Sequence, residues 1–145
     1  MVAYGRAVAD TEAGPESKNE QLVRQFFDTL STGDLEALRV LIHPQGSWEV
    51  MGTTIPGAGL TSGRDAVIDG FLAPVRGMFE PGDPKVAIKR MVSNGDTVAA
   101  ETEAIGMLSN GNRYHNRYCW MIDVKDGQVC HLKEYMDTAY IMSVV

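Results

Sequence analysis

Few of the residues that announce a specialised chemistry are present in this chain. Its two cysteines, Cys119 and Cys130, fall short of a disulfide framework, and two thiols without secretory context fit a reducing compartment. Both read as small buried hydrophobes on opposite arms of one hairpin. The three histidines and the acids show no tight His-x-x-x-His or Cys-x-x-Cys spacing, so no metal site and no cofactor is expected. Gly57-Ala58-Gly59 lacks the strand-Gly-helix context of a phosphate loop. Basic residues are the minority, 13 Lys and Arg against 19 Asp and Glu, and they are scattered, which argues against a nucleic-acid partner. Nothing approaches the ~18 apolar residues of a membrane span, and the first sixteen residues hold no signal-peptide core. These absences leave a cytoplasmic α+β domain over residues 17–145 behind a flexible tail over residues 1–16, with no internal repeat.

The remaining sequence is well punctuated. Ser17-Lys18-Asn19-Glu20 has the spacing of a capping box, and Leu22, Phe26, Phe27 and Leu30 then recur at helical spacing until Thr32-Gly33 breaks the run. Asp34 can cap a second helix through Leu35, Leu38, Leu41 and Ile42, closed by Pro44. Ser47–Met51 alternates as a short strand, and Gly52–Gly63 reads as a loop. A third helix is expected from about Arg64, with Val67, Phe71, Leu72, Val75 and Phe79 inward and a kink at Pro74. From Lys85 to Tyr135 the chain reads as four long antiparallel strands in meander order, turning at Asn94-Gly95-Asp96, Asn110-Gly111 and Asp126-Gly127. Three helices laid on the concave face of a curved, cone-shaped antiparallel sheet would leave a cavity.

The residues that could serve such a cavity cluster late in the chain. Glu134-Tyr135-Met136-Asp137 closes an apolar strand, where a carboxylate can be desolvated and made more basic, and Asp137 is the first candidate for a general base. Its plainer reading is a cap for a final helix over Thr138–Val145. Tyr114, Asn116, Tyr118 and Trp120 share one strand face and offer a hydroxyl, an amide and aromatic walls, while His115, Arg117, Cys119 and Met121 share the other. His131 would share the face of Asp137 if no bulge intervenes, and could then move a proton. Tyr135 beside it and Trp48 on the early strand complete the substrate-binding candidates. Glu101 and Glu103 alternate with Ala100, Thr102 and Ala104 and should point outward.

Ser47-Trp48-Glu49-Val50-Met51-Gly52, Ser62-Gly63-Arg64-Asp65-Ala66-Val67, Asp126-Gly127-Gln128-Val129 and Glu134-Tyr135-Met136-Asp137, in this order, resemble the nuclear transport factor 2-like superfamily. Within it they are similar to the SnoaL-like branch of polyketide cyclases, ketosteroid isomerase relatives and limonene epoxide hydrolase. The resemblance runs from about Asn19 to Asp137. It implies a cofactor-independent isomerase, cyclase or lyase acting on a hydrophobic oxygenated molecule of polyketide, steroid-like or aromatic type. It places Asp137 where the epoxide hydrolases carry their catalytic aspartate. Thr102 and Ala104 stand where those enzymes have an Arg-x-Asp pair, and Trp48 and Val50 where they have a water-holding Tyr and Asn, so epoxide hydrolysis is disfavoured. Asp137, His131 and Tyr118 are the expected catalytic set; Trp48, Asn116, Tyr114, Trp120 and Tyr135 the binding set. The alternative is a non-catalytic ligand-binding or dimerisation module of the same fold. A sheet face bearing Ala, Ile and Met favours a homodimer in either case.

Overall fold

The structure, a computed structural model, describes residues 14–145. The tail expected over residues 1–16 lies, as far as residue 13, outside the described residues; Glu16 at its end is ion-paired with Arg24. Helix α1 (Lys18–Thr32) starts where the Ser17 hydroxyl accepts the Glu20 N–H at 3.1 Å, and it buries Val23, Phe26, Phe27 and Leu30. Asp34 caps α2 (Leu35–Arg39) by accepting the Ala37 N–H at 2.9 Å. That helix is shorter than its apolar spacing suggests. Ile42 opens strand β1 (Ile42–Val50), which therefore carries Pro44 inside it.

Pro44 is tolerated because the ladder is interrupted there. Against the last long strand, β6 (Gln128–Met136), the register of β1 jumps from Ile42–Val129 to Ser47–His131, so the missing proline N–H removes no ladder bond. Gly46 sits within this bulge, where a side-chain Cβ would lie 2.7 Å from Ile42 Cγ2 and 2.9 Å from the His43 carbonyl. The segment expected as a loop contains a further strand, β2 (Gly59–Ser62), antiparallel to β1. Four largely exposed residues with a glycine at one end give little alternation to read, as is common for short edge strands.

The third helix begins as a π-helical stretch, Ala66–Leu72, and continues as α3 (Ala73–Gly77). The Ala73 N–H reaches back to Ile68 O, five residues earlier. Pro74 explains the wide turn, since it has no N–H to donate and its ring crowds the preceding turn. The expected kink thus takes the form of a π-turn. Phe79 lies beyond the helix, bridged to Leu108.

The strands β3 (Lys85–Asn94), β4 (Thr97–Met107), β5 (Arg113–Lys125) and β6 form the expected antiparallel meander. In the turn between β5 and β6, Asp126 and Gly127 have φ of 52° and 70°, the left-handed pair that a two-residue hairpin requires. A short helix α4 (Thr138–Val144) ends the chain against β5. The whole sheet is curved and unclosed, in the order β2-β1-β6-β5-β4-β3. β1 lies parallel to β6, a pairing no local pattern indicates. Helix α1 packs across β3, β4 and β6, and the core of Phe26, Phe27, Trp48, Trp120, Ile122 and Leu132 fills the space between.

One irregularity in β6 decides what the cavity contains. Asp123 of β5 faces His131, but the next residue, Val124, faces Val129, so Cys130 is an extra residue in the ladder. A one-residue slip exchanges the two faces of a strand. Beyond this bulge Leu132 and Glu134 point inward and are buried, while His131, Lys133 and Tyr135 point outward. Cys130 is buried as expected, but Cys119 is exposed and both are free; in register Cys119 faces Tyr135, well along the hairpin from Cys130.

Candidate active site

Between the concave sheet face and the helices lies a cavity of about 120 Å³, walled by Trp48, Phe71, Tyr118 and Trp120 and closed on one side by Ile141 of α4. The period-two placement of β5 turns Tyr114, Asn116, Tyr118 and Trp120 inward as one row. Trp120 stacks on Tyr118 with ring centroids 5.6 Å apart, and Trp48 meets Trp120 edge-on at 5.4 Å. Among the expected site residues, Trp48, Tyr114, Tyr118 and Trp120 line the cavity, and Asn116 is buried behind them.

Three expected residues stand elsewhere. Asp137 is exposed at the end of β6, where its carboxylate accepts the Tyr140 N–H at 3.0 Å and caps α4. His131 is exposed on the outer face, its Nδ1 2.7 Å from Ser47 Oγ. Tyr135 is 41% exposed on the same outer face. The physical reason is the Cys130 bulge: without it, residues 131, 135 and 137 would share the inward phase of Val129.

The carboxylate that enters the cavity is Glu134. It is 9% exposed, and Trp48 Nε1–H donates to its Oε2 at 2.8 Å. Burial pushes its pKa up to about 7, against the opposing pull of the Trp48 hydrogen bond. A signal for it existed in the sequence: Leu132, Glu134 and Met136 alternate as one apolar phase broken by a single acid.

A chain of hydrogen bonds approaches from the other side. Asn116 Oδ1 accepts the Arg117 N–H at 2.8 Å, which fixes the amide so that Nδ2 donates to the Tyr114 hydroxyl at 3.2 Å. Tyr114 and Tyr118 are hydrogen-bonded through their hydroxyls. A phenol oxygen can accept two hydrogen bonds, so the donation from Asn116 to Tyr114 leaves either hydroxyl able to be the donor of this pair. Burial, together with Tyr114 and Glu134 nearby, raises the Tyr118 pKa well above that of a free phenol, so it keeps its proton. Thr102, also in the wall, accepts the Trp120 Nε1–H at 2.9 Å. Glu101 and Glu103 point away on the outer face. Among the described residues no group of three or more His, Cys, Asp and Glu is placed to hold a metal ion, and no helix is long and apolar enough to cross a membrane.

A curved, unclosed sheet wrapped by helices around an apolar pocket with one buried acid defines an α+β fold with an internal cavity. More narrowly, the SnoaL-like domain profile matches residues 23–132, and the chain belongs to that family, within the NTF2-like superfamily. Comparison with curated proteins finds no match. Among solved structures, the chain is similar to an NTF2-like protein of unknown function from Burkholderia pseudomallei K96243, with TM-score 0.79, 19% identity and coverage of 90% of this chain and 98% of that one. It is similar to a candidate SnoaL-like polyketide cyclase from Jannaschia sp. CCS1, with TM-score 0.76, 18% identity and coverage of 92% and 97%. A protein of ketosteroid isomerase-like fold from Catenulispora acidiphila DSM 44928, in complex with trimethylamine, gives TM-score 0.68, 17% identity and coverage of 79% and 84%. At these identities the likeness is one of fold.

Proposed function

We propose that the protein is a cofactor-independent proton-transfer enzyme of isomerase, cyclase or lyase type, with Glu134 as general base and acid and Tyr118 as oxyanion donor. One observation carries this reading: a carboxylate with pKa about 7 stands in the wall of an apolar cavity, where it is half ionised at neutral pH. Ionised Glu134 takes a proton from carbon beside a carbonyl. The electron pair moves onto the carbonyl oxygen, where the Tyr118 O–H meets the developing charge, and the carboxylic acid then returns the proton to carbon. Asn116 and Tyr114 act through Tyr118 as positioning residues. The base role expected for Asp137 passes to Glu134, three residues earlier.

The test is hydrogen–deuterium exchange at carbon in small ketones, followed by proton NMR in D₂O. Glu134→Gln is expected to slow exchange by about 10²–10⁴-fold. In the wild-type protein the rate should rise with pH through about 7. Exchange by Glu134→Gln at the wild-type rate overturns the proposal. A second, non-catalytic reading has one observation in its favour: a carboxylate bordered by Trp48, Trp120 and Tyr118 also suits an amine, and the Catenulispora acidiphila structure holds trimethylamine. A homodimer in a reducing, cytoplasmic setting completes the proposal, in keeping with the free, exposed Cys119.

A further inference from the structure

We infer that helix α4 is a gate over the cavity, held shut by the Tyr140 hydroxyl and by the side-chain amides of Asn110 and Asn112, and that it opens without unfolding the sheet. The inference needs the cavity alone and stands apart from the chemistry proposed for it.

The place of the gate follows from the wall. The exposed residues of the cavity wall are Pro56, Met78 and Val145, from the loop before β2, the end of α3 and the end of α4. A mouth between these segments widens where the attachment is weakest. Ile55, 6% exposed, anchors the loop. Helix α3 continues the π-helical stretch that buries Val67, Ile68 and Leu72, and Arg76 ties it down by donating to Leu30 O at 3.0 Å and Pro84 O at 3.1 Å. No residue of α4 is buried.

The bonds that hold α4 share one character. Strand β5 starts before its partner: Tyr118 is its first residue in register with β6, so among the described residues no strand lies beside that edge from Arg113 to Arg117. The segment of α4 supplies the missing partners. Asp137 N–H donates to Arg117 O at 3.3 Å, and the Tyr140 hydroxyl accepts the His115 N–H at 2.8 Å and donates to Arg113 O at 3.3 Å. At the far end of the helix the Asn110 and Asn112 amides both donate to Val144 O, at 3.0 and 2.9 Å. The Tyr140 and Asn bonds lie at the surface, where water takes over each partner as the helix lifts, so breaking them costs little. Against opening stand the apolar contacts of Tyr140, Ile141 and Val144 with a small cluster of Ala104, Leu108 and Tyr114 beside the main core. The pivot is held by backbone, since Asp137 O accepts Asn116 Nδ2–H at 3.2 Å. Rotation about it uncovers the cavity at Ile141 and Val145 and leaves the strands paired.

The experiment labels a thiol placed inside the cavity. Ala104 lines the cavity and is 4% exposed, while Cys130, outside it in β6, is 2% exposed. In a Cys119→Ser, Ala104→Cys chain, modification by methyl methanethiosulfonate is followed by mass spectrometry, and Cys130 in the same molecule reports any wider unfolding. Labelling that waits for opening runs at a rate proportional to the open population. Tyr140→Phe, which removes two hydrogen bonds and keeps the ring, is expected to speed modification at position 104 by about tenfold, with Cys130 unmodified. Asn110→Ala with Asn112→Ala is expected to act by a similar factor. Equal rates in all these chains, or labelling with the latch intact as fast as that of a free thiol, overturns the gate. Modification of Cys130 in step with position 104 overturns it too, because the opening is then unfolding. Hydrogen exchange of the native chain gives a check free of substitutions: amides of residues 138–145 are expected to exchange at least about tenfold faster than those of residues 118–124 in β5, and equal protection overturns the inference.

Discussion

Glu134 and Asp137 lie three residues apart and have opposite surroundings, so substitutions at the two separate function from stability. A rise of the Glu134 pKa from 4.5 to about 7 means that the folded protein keeps a proton over a range where the unfolded chain has lost it. Stability present below pH 4.5 is therefore lost as pH rises toward 7, by about 3 kcal/mol in all. Glu134→Gln keeps an acceptor for the Trp48 N–H and carries no charge. Urea unfolding should show it more stable than wild type at pH 8, by up to ~3 kcal/mol, with little difference at pH 4.5. The same pH dependence in both proteins would show that Glu134 is not the desolvated group. Asp137→Ala removes the cap of α4 and should cost ~1 kcal/mol while leaving carbon exchange and its pH profile unchanged. A loss of exchange as large as that of Glu134→Gln would return the base role to Asp137.

At the scale of elements, two bulges do most to shape the site. The Cys130 bulge rotates the end of β6 so that Glu134 faces the cavity. The bulge in β1 lets Ser47 and Trp48 pair with His131 and Leu132, which brings the Trp48 indole to Glu134. The two bulges touch at Gly46, where an added Cβ would lie 3.1 Å from the Cys130 carbonyl as well as close to Ile42 and His43. Gly46→Ala forces backbone or core atoms to move, and it should destabilise the protein by about 1–3 kcal/mol. Because the shift acts on the Trp48–Glu134 pair, tryptophan fluorescence should change with it. A variant of unaltered stability and spectrum would show that the bulges can part without cost.

Across the whole molecule, the helices cover one face of the sheet and leave the other open. That outer face carries Met121 and Tyr135, 40% and 41% exposed, with Lys133 opposite Met121, and Arg117 and Glu103 facing each other in register. A two-fold rotation would set the acids of β4 against the cations of β5 and β6 around an apolar centre, which is the pattern of an isologous dimer. Light scattering on the wild-type protein at micromolar concentration is expected to give a dimer mass, and Met121→Glu with Tyr135→Glu a folded monomer. A wild-type monomer under those conditions defeats the proposal.

The sequence by itself determined whatever depends on neighbours along the chain. The caps at Ser17 and Asp34, the Asp126-Gly127 turn, the antiparallel meander and the sharing of one strand face by Tyr114, Asn116, Tyr118 and Trp120 were all legible, because each is written in a few adjacent residues or in a period of two, whereas the turning of that face toward the cavity was not. Ile42 and Gly59–Ser62 were not, since an apolar residue after a short helix and a four-residue edge strand carry no periodic signal. Only the tertiary structure decided the parallel pairing of β1 with β6, because such a pair is closed by a long crossover and not by a turn. It also decided the carboxylate of the site. Desolvation depends on what surrounds a group in space, and the Trp48 indole that holds Glu134 comes from 86 residues away in the chain. A single extra residue at Cys130, set by how two strands meet, then chose Glu134 over Asp137.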